Sequence, residues 1–187
     1  MIRFFIITLL FYGLNEIVAE STNKWEKLDK CKYLENKAND GDSFHVMCDK
    51  EYLFRLYFVD TPESEESLQD RIQDQADYFN ISKEQSLELG KIASNFTKET
   101  LVDRKLTIYT RWKDAMGRSK MKRYYAIVIV NRRSLAERLV ENGLARIYGA
   151  NTKLPDGSGF KDYKIKLKVL EDKAKKNKVG GWKFNSE

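Results

Sequence analysis

Four carboxylates and a guanidinium crowd two predicted turns in the first third of the chain. Asp40 and Asp42 flank Gly41 in the stretch NDGDSF, and Arg55 lies in FRLYFVDTPE, which runs into Asp60, Thr61 and Glu63. Asp-Gly and Asp-Thr-Pro steps are ordinary turn chemistry. Carboxylate oxygens from Asp42 and Asp60, the Thr61 carbonyl and several waters would equally make the loose oxygen shell of a hard divalent cation, which suits Ca2+ ahead of Mg2+ or Mn2+.

Arg55 shifts the balance. It interrupts an otherwise apolar strand, where an unpaired guanidinium would cost several kcal/mol. It needs an anion, either an internal carboxylate such as Asp60 or a substrate phosphate held bidentately. Strict alternation would set Arg55 and Asp60 on opposite faces, so the strand must bulge or end between them if both serve one site. A second guanidinium, Arg118, follows Gly117 in DAMGRS ahead of another buried strand. Two arginines and a cation around one pocket can stabilise the charge of a five-coordinate phosphorane, with Glu63 to orient or deprotonate the attacking water. These are the parts of a phosphodiesterase.

The elements that must position these groups follow from periodicity. Residues 31–38, 43–48 and 52–59 read as a meander of three strands, and 105–112 and 123–130 as two more. Ser82 with Gln85 forms a capping-box pattern ahead of a helix over 83–101. A second helix begins at a Ser134 cap and stops at Gly143, and a third covers 161–177. Residues 64–81 are acidic and read as an irregular excursion. Five strands with a helix between the third and fourth predict an α+β fold, a five-stranded Greek-key barrel of the OB type with about three helices.

Composition bounds the rest. The chain has 187 residues and a net charge of +6, but residues 1–103 carry −8 and residues 104–187 carry +14. That asymmetry suits a polyanion on one side and a cation on the other, or a merely solvated lysine-rich surface. Residues 1–19 have the basic start, short apolar run and small final residue of a cleavable signal peptide, which predicts a secreted or periplasmic protein. Residues 20–30 are read as a flexible lead-in and 31–187 as one domain. Cys31 and Cys48 fit a disulfide or two free thiols: a two-residue turn at Gly41-Asp42 would set Cys31 opposite Glu51 or Tyr52 rather than Cys48. His45, the single histidine, is read as structural, as are Trp112 and Trp182.

In combination, DGDS followed by RLYFVDTPE, then GRSK before YYAIV, then LAERLVENGLARI resembles the thermonuclease (staphylococcal nuclease-like) family over roughly residues 31–183. The resemblance implies a Ca2+-dependent endonuclease on DNA and RNA that leaves 3′-phosphate ends. It makes Asp42, Asp60 and the Thr61 carbonyl metal ligands, Asp40 an outer acid, and Arg55, Arg118 and Glu63 catalytic. Ala115 and Met116 replace the family's lysine and tyrosine before the Gly-Arg pair. Gly149 and Asn151 stand where base-packing tyrosines are expected, with Tyr148 one position away as a stacking candidate. A monomer is expected, and the alternative is a non-catalytic nucleic-acid-binding OB module.

Overall fold

The computed structural model describes residues 24–66, 68–117 and 121–184. The chain runs β1 (Glu26–Tyr33), β2 (Ser43–Met47), β3 (Glu51–Leu56), β4 (Val59–Asp60), α1 (Gln69–Phe79), α2 (Lys83–Leu101), β5 (Leu106–Asp114) and β6 (Arg123–Val130). There follow β7 (Arg133–Ser134), α3 (Leu135–Glu141), β8 (Arg146–Ile147), α4 (Phe160–Lys176) and the single helical turn α5 (Gly181–Phe184). The sheet order β3-β2-β1-β5-β6 closes into a five-stranded barrel through a parallel β3–β6 pairing. The expected α+β OB-type barrel is therefore present. None of its helices is long and apolar enough to cross a membrane, among the described residues.

Alternation fills the barrel with Phe44, Val46, Phe54, Leu56, Leu106, Ile108, Ala126 and Val128, all buried. A second layer of the same core, with Phe79, Leu89, Leu101, Leu139 and Leu167, joins the helices to it. The Ser82–Gln85 capping box forms as expected and starts α2. Ser134 caps α3 without a side-chain bond to it; its hydroxyl instead takes the Tyr163 hydroxyl at 3.0 Å.

Four expectations need correction. Residues 26–30 are strand and not flexible lead-in, because β1 pairs with β5 from Glu26↔Thr110 onward. The acidic stretch 64–81 is not irregular throughout: Ile72, Gln75, Ala76 and Phe79 recur at helical spacing and bury one face of α1. The 52–59 strand stops at Leu56, since Phe58 takes a left-handed φ of 72° that no continuous strand allows. Finally, β1 and β2 are joined by a loop longer than two residues. Lys32 therefore faces Met47, which brings the neighbouring Cys31 to Cys48 as a disulfide with Cα atoms 4.2 Å apart.

Candidate functional site

The break after β3 builds the site. With Phe58 turned, Tyr57 N–H goes to the Ala126 carbonyl and Phe58 N–H to that of Ala150, so the chain leaves the barrel wall and re-forms as β4 against β8. Arg55 and Asp60, which strict alternation would separate, now meet: Arg55 Nη2 lies 2.6 Å from Asp60 Oδ1 and 3.1 Å from Asp42 Oδ2. Both carboxylates are buried, Asp42 at 2% and Asp60 at 0% exposure, and this shared cation offsets part of the cost of desolvating them.

The Asp-Gly turn is held from three sides. Asp40 Oδ1 accepts the backbone N–H groups of Asp42 and Ser43, at 3.0 and 2.6 Å. Burial, then the neighbouring Asp42 charge, pushes the Asp40 carboxyl well above the usual range. Thr97 of α2 donates its hydroxyl to the Gly41 carbonyl at 2.7 Å, and a side chain at Gly41 would strike Thr61 at 2.7 Å. Only glycine lets the turn approach so closely. The Thr61 N–H in turn donates to Asp42 Oδ2 at 3.0 Å, which ties the two acidic turns together.

Helix α1 supplies two residues that sequence reasoning did not single out. Gln75 is fully buried; its Nε2 donates to Asp60 Oδ2 at 2.9 Å and to the Thr61 carbonyl at 3.0 Å, while its Oε1 accepts the Glu63 N–H at 2.9 Å. Arg71 Nη2 sits 2.7 Å from Asp60 Oδ1 and 3.0 Å from Glu63 Oε1. From β8, Arg146 Nε reaches Asp60 Oδ2 at 2.8 Å, and its guanidinium lies 4.2 Å over the ring of Tyr148. Tyr148 remains 58% exposed. The only trace of these in the sequence is the 72-75-76-79 spacing, hidden among acids, and the proximity of Arg146 to Tyr148.

Glu63 has its carboxyl raised, first by burial and then by nearby Asp42 and Asp60, against the lowering effect of Arg71. Arg123, at the start of β6, donates twice to the Met116 carbonyl, at 2.7 and 3.1 Å, and once to Ser43 Oγ at 3.2 Å. It thereby clamps the 115–117 segment beside the Asp42 turn. Arg118 itself lies outside the described residues. His45 is structural: its Nδ1 stands 2.6 Å from Asn39 Oδ1, and burial lowers its pKa. Trp182 packs on Phe79 and Trp112 on Tyr52 and Tyr124.

Asp42 and Asp60 converge on Arg55 Nη2, which fills the space between their carboxylate oxygens. Among the described residues Asp42 Oδ1 accepts only the Ser43 hydroxyl, at 2.9 Å, and the Thr61 carbonyl keeps a second lone pair. Among the described residues no three His, Cys, Asp or Glu side chains form a self-sufficient metal cluster. A hard ion here would take the two aspartates, the Thr61 carbonyl and water, the all-oxygen shell suited to Ca2+.

Acids and guanidiniums interleave at one mouth of an OB-type barrel. Residues 53–184 match the family described as staphylococcal nuclease homologue, and the chain belongs to that family. No curated protein matches the chain. Membership points to nuclease or nucleic-acid-binding function, since the family acts on nucleic acids.

Proposed function

We propose that the protein is a Ca2+-dependent endonuclease that hydrolyses phosphodiester bonds of DNA and RNA as an exported monomer. The observation that carries this reading is Arg55 Nη2 lodged between the buried Asp42 and Asp60, with Glu63 joined to the same cluster through Arg71. Asp42, Asp60 and the Thr61 carbonyl would hold the ion, with Asp40 behind them. When bound, it would supply Lewis-acid stabilisation of charge on the phosphoryl oxygens.

The chain's own groups do the rest. Glu63, held by Gln75 through its backbone, accepts a proton from a water whose oxygen attacks phosphorus. The P–O5′ bond breaks, the 5′ oxygen leaves with a proton from solvent, and the phosphate stays on the 3′ oxygen. Arg55 and Arg118 neutralise the extra negative charge of the five-coordinate transition state. Tyr148, exposed beside Arg146, offers its open ring face to a base. The Cys31–Cys48 disulfide supports the exported reading, because such bonds persist in oxidising compartments.

Plasmid digestion tests the proposal with Ca2+, with EDTA, and with the Glu63→Gln and Arg118→Ala variants. Each substitution is expected to slow cleavage about 100- to 1,000-fold; activity indifferent to the metal, the chelator and both variants would refute it. A second reading, a non-catalytic nucleic-acid-binding module, is favoured by one observation. Both oxygens of Asp60 already accept two donors each, from Arg55, Arg71, Gln75 and Arg146. Tight, salt-sensitive binding without turnover in any divalent metal would decide for it.

A further inference from the structure

A carboxylate offers about four lone-pair sites, and in Asp60 all four are engaged. Oδ1 takes Arg55 Nη2 at 2.6 Å and Arg71 Nη2 at 2.7 Å; Oδ2 takes Gln75 Nε2 at 2.9 Å and Arg146 Nε at 2.8 Å. A cation cannot join Asp60 without displacing one of them.

The four donors differ in how easily they leave. Gln75 is fully buried and holds the Thr61 carbonyl and the Glu63 N–H as well, so its departure would strand several buried groups. The Arg146 and Arg55 side chains are only 7% and 14% exposed, and Arg55 is also fastened to Asp42. Arg71 is 37% exposed, and it reaches Asp60 and Glu63 through one nitrogen. Its Nε and Nη1 have no hydrogen-bond partner among the described residues. Of the four donors it is the one most open to solvent, and so the one released most readily.

Resting on the nuclease reading, we infer that Arg71, delivered by helix α1, is an exchangeable counter-ion and a substrate-phosphate ligand. Without divalent cation it neutralises Asp60 and Glu63. When a cation takes its place on Asp60, the freed guanidinium binds a phosphate of the nucleic acid through its planar fork. Metal and substrate therefore assist each other: a phosphate that draws Arg71 away opens Asp60, and by linkage a bound cation must strengthen phosphate binding by the same factor. The acidic insert is thus part of the site, and its one arginine in α1 is the residue that couples the two ligands.

The test is calorimetric titration of the full chain with CaCl2 alone, and then with CaCl2 in the presence of a nuclease-resistant phosphorothioate oligothymidylate. Arg71→Ala is expected to bind Ca2+ about fivefold or more tightly than wild type when no oligonucleotide is present. The same variant is expected to bind the oligonucleotide more weakly and to lose the mutual enhancement. Arg71→Lys, which keeps the charge without the fork, should restore Ca2+ affinity toward wild type while recovering only part of the oligonucleotide affinity. Equal or weaker Ca2+ binding by Arg71→Ala, in a wild-type background that binds Ca2+ and cleaves DNA, overturns the role of Arg71 and leaves the nuclease reading standing. A wild-type chain that neither binds Ca2+ nor cleaves removes both.

Discussion

Gly90 of α2 lies directly against the backbone of Glu63: a β-carbon built at Gly90 would stand 2.1 Å from the Glu63 carbonyl oxygen and 2.7 Å from that of Pro62. The helix that follows the acidic insert thus rests on the loop carrying the candidate general base. No side chain fits between them.

Gly90→Ala measures that contact. Replacing an internal helical glycine by alanine ordinarily gains about 1 kcal/mol, but here the methyl meets backbone that cannot rotate away. Overpacking costs about 1–3 kcal/mol, so a net loss of stability is expected. A displacement of Glu63 by about 1 Å should also lower kcat about 100-fold. Urea unfolding and steady-state kinetics on the same variant check both; a stabilised, fully active variant would show that the helix does not brace the loop.

Gln75→Ala removes three hydrogen bonds from one buried centre, those to Asp60, the Thr61 carbonyl and the Glu63 N–H. Leaving such groups unsatisfied costs about 1–3 kcal/mol. Chemical denaturation should show that loss, and kcat should fall more than KM changes, because the residue positions Glu63 and touches no substrate.

Tyr148→Ala should weaken binding of a nuclease-resistant oligonucleotide by about 1–3 kcal/mol, the range of a single base–aromatic stack. The unfolding midpoint should stay nearly unchanged, as the ring is 58% exposed. An unchanged dissociation constant would remove Tyr148 from the interface.

The Cys31–Cys48 bond closes a loop of 17 residues between β1 and β2. Loop-closure entropy of that size is worth about 3 kcal/mol, so reduction or Cys31→Ser with Cys48→Ser should lower the melting temperature by about 6–12 °C. Calorimetry checks this. Cleavage measured well below the new melting point should persist, because neither sulfur touches the cluster of Asp42, Asp60 and Glu63.

Alkaline pH should weaken the fold. Burial pushes the Tyr57 and Tyr78 hydroxyls up to about 12 from an ordinary value of 10.0. The folded state therefore favours the neutral phenol, and the stability this represents is complete below about pH 10 and lost as pH rises toward about 12. Urea midpoints should fall across that window, less steeply for Tyr57→Phe. A flat profile would contradict the burial argument.

The sequence determined the barrel because period-2 alternation needs no distant information: Phe44, Val46, Ile108 and Val128 face inward where their spacing says they must. It determined α2 through the local Ser82–Gln85 box, and it placed Asp42, Arg55, Asp60 and Glu63 together through the order of their motifs. Only the tertiary structure decided how they meet. The left-handed turn at Phe58 brings Arg55 onto Asp60, the longer β1–β2 loop aligns the cysteines, and the fold carries Gln75, Arg71 and Arg146 onto one carboxylate from 11 to 86 residues away. Those partners are invisible along the chain because a buried charge is satisfied by whatever the packing brings within about 3 Å, and sequence separation places no limit on that.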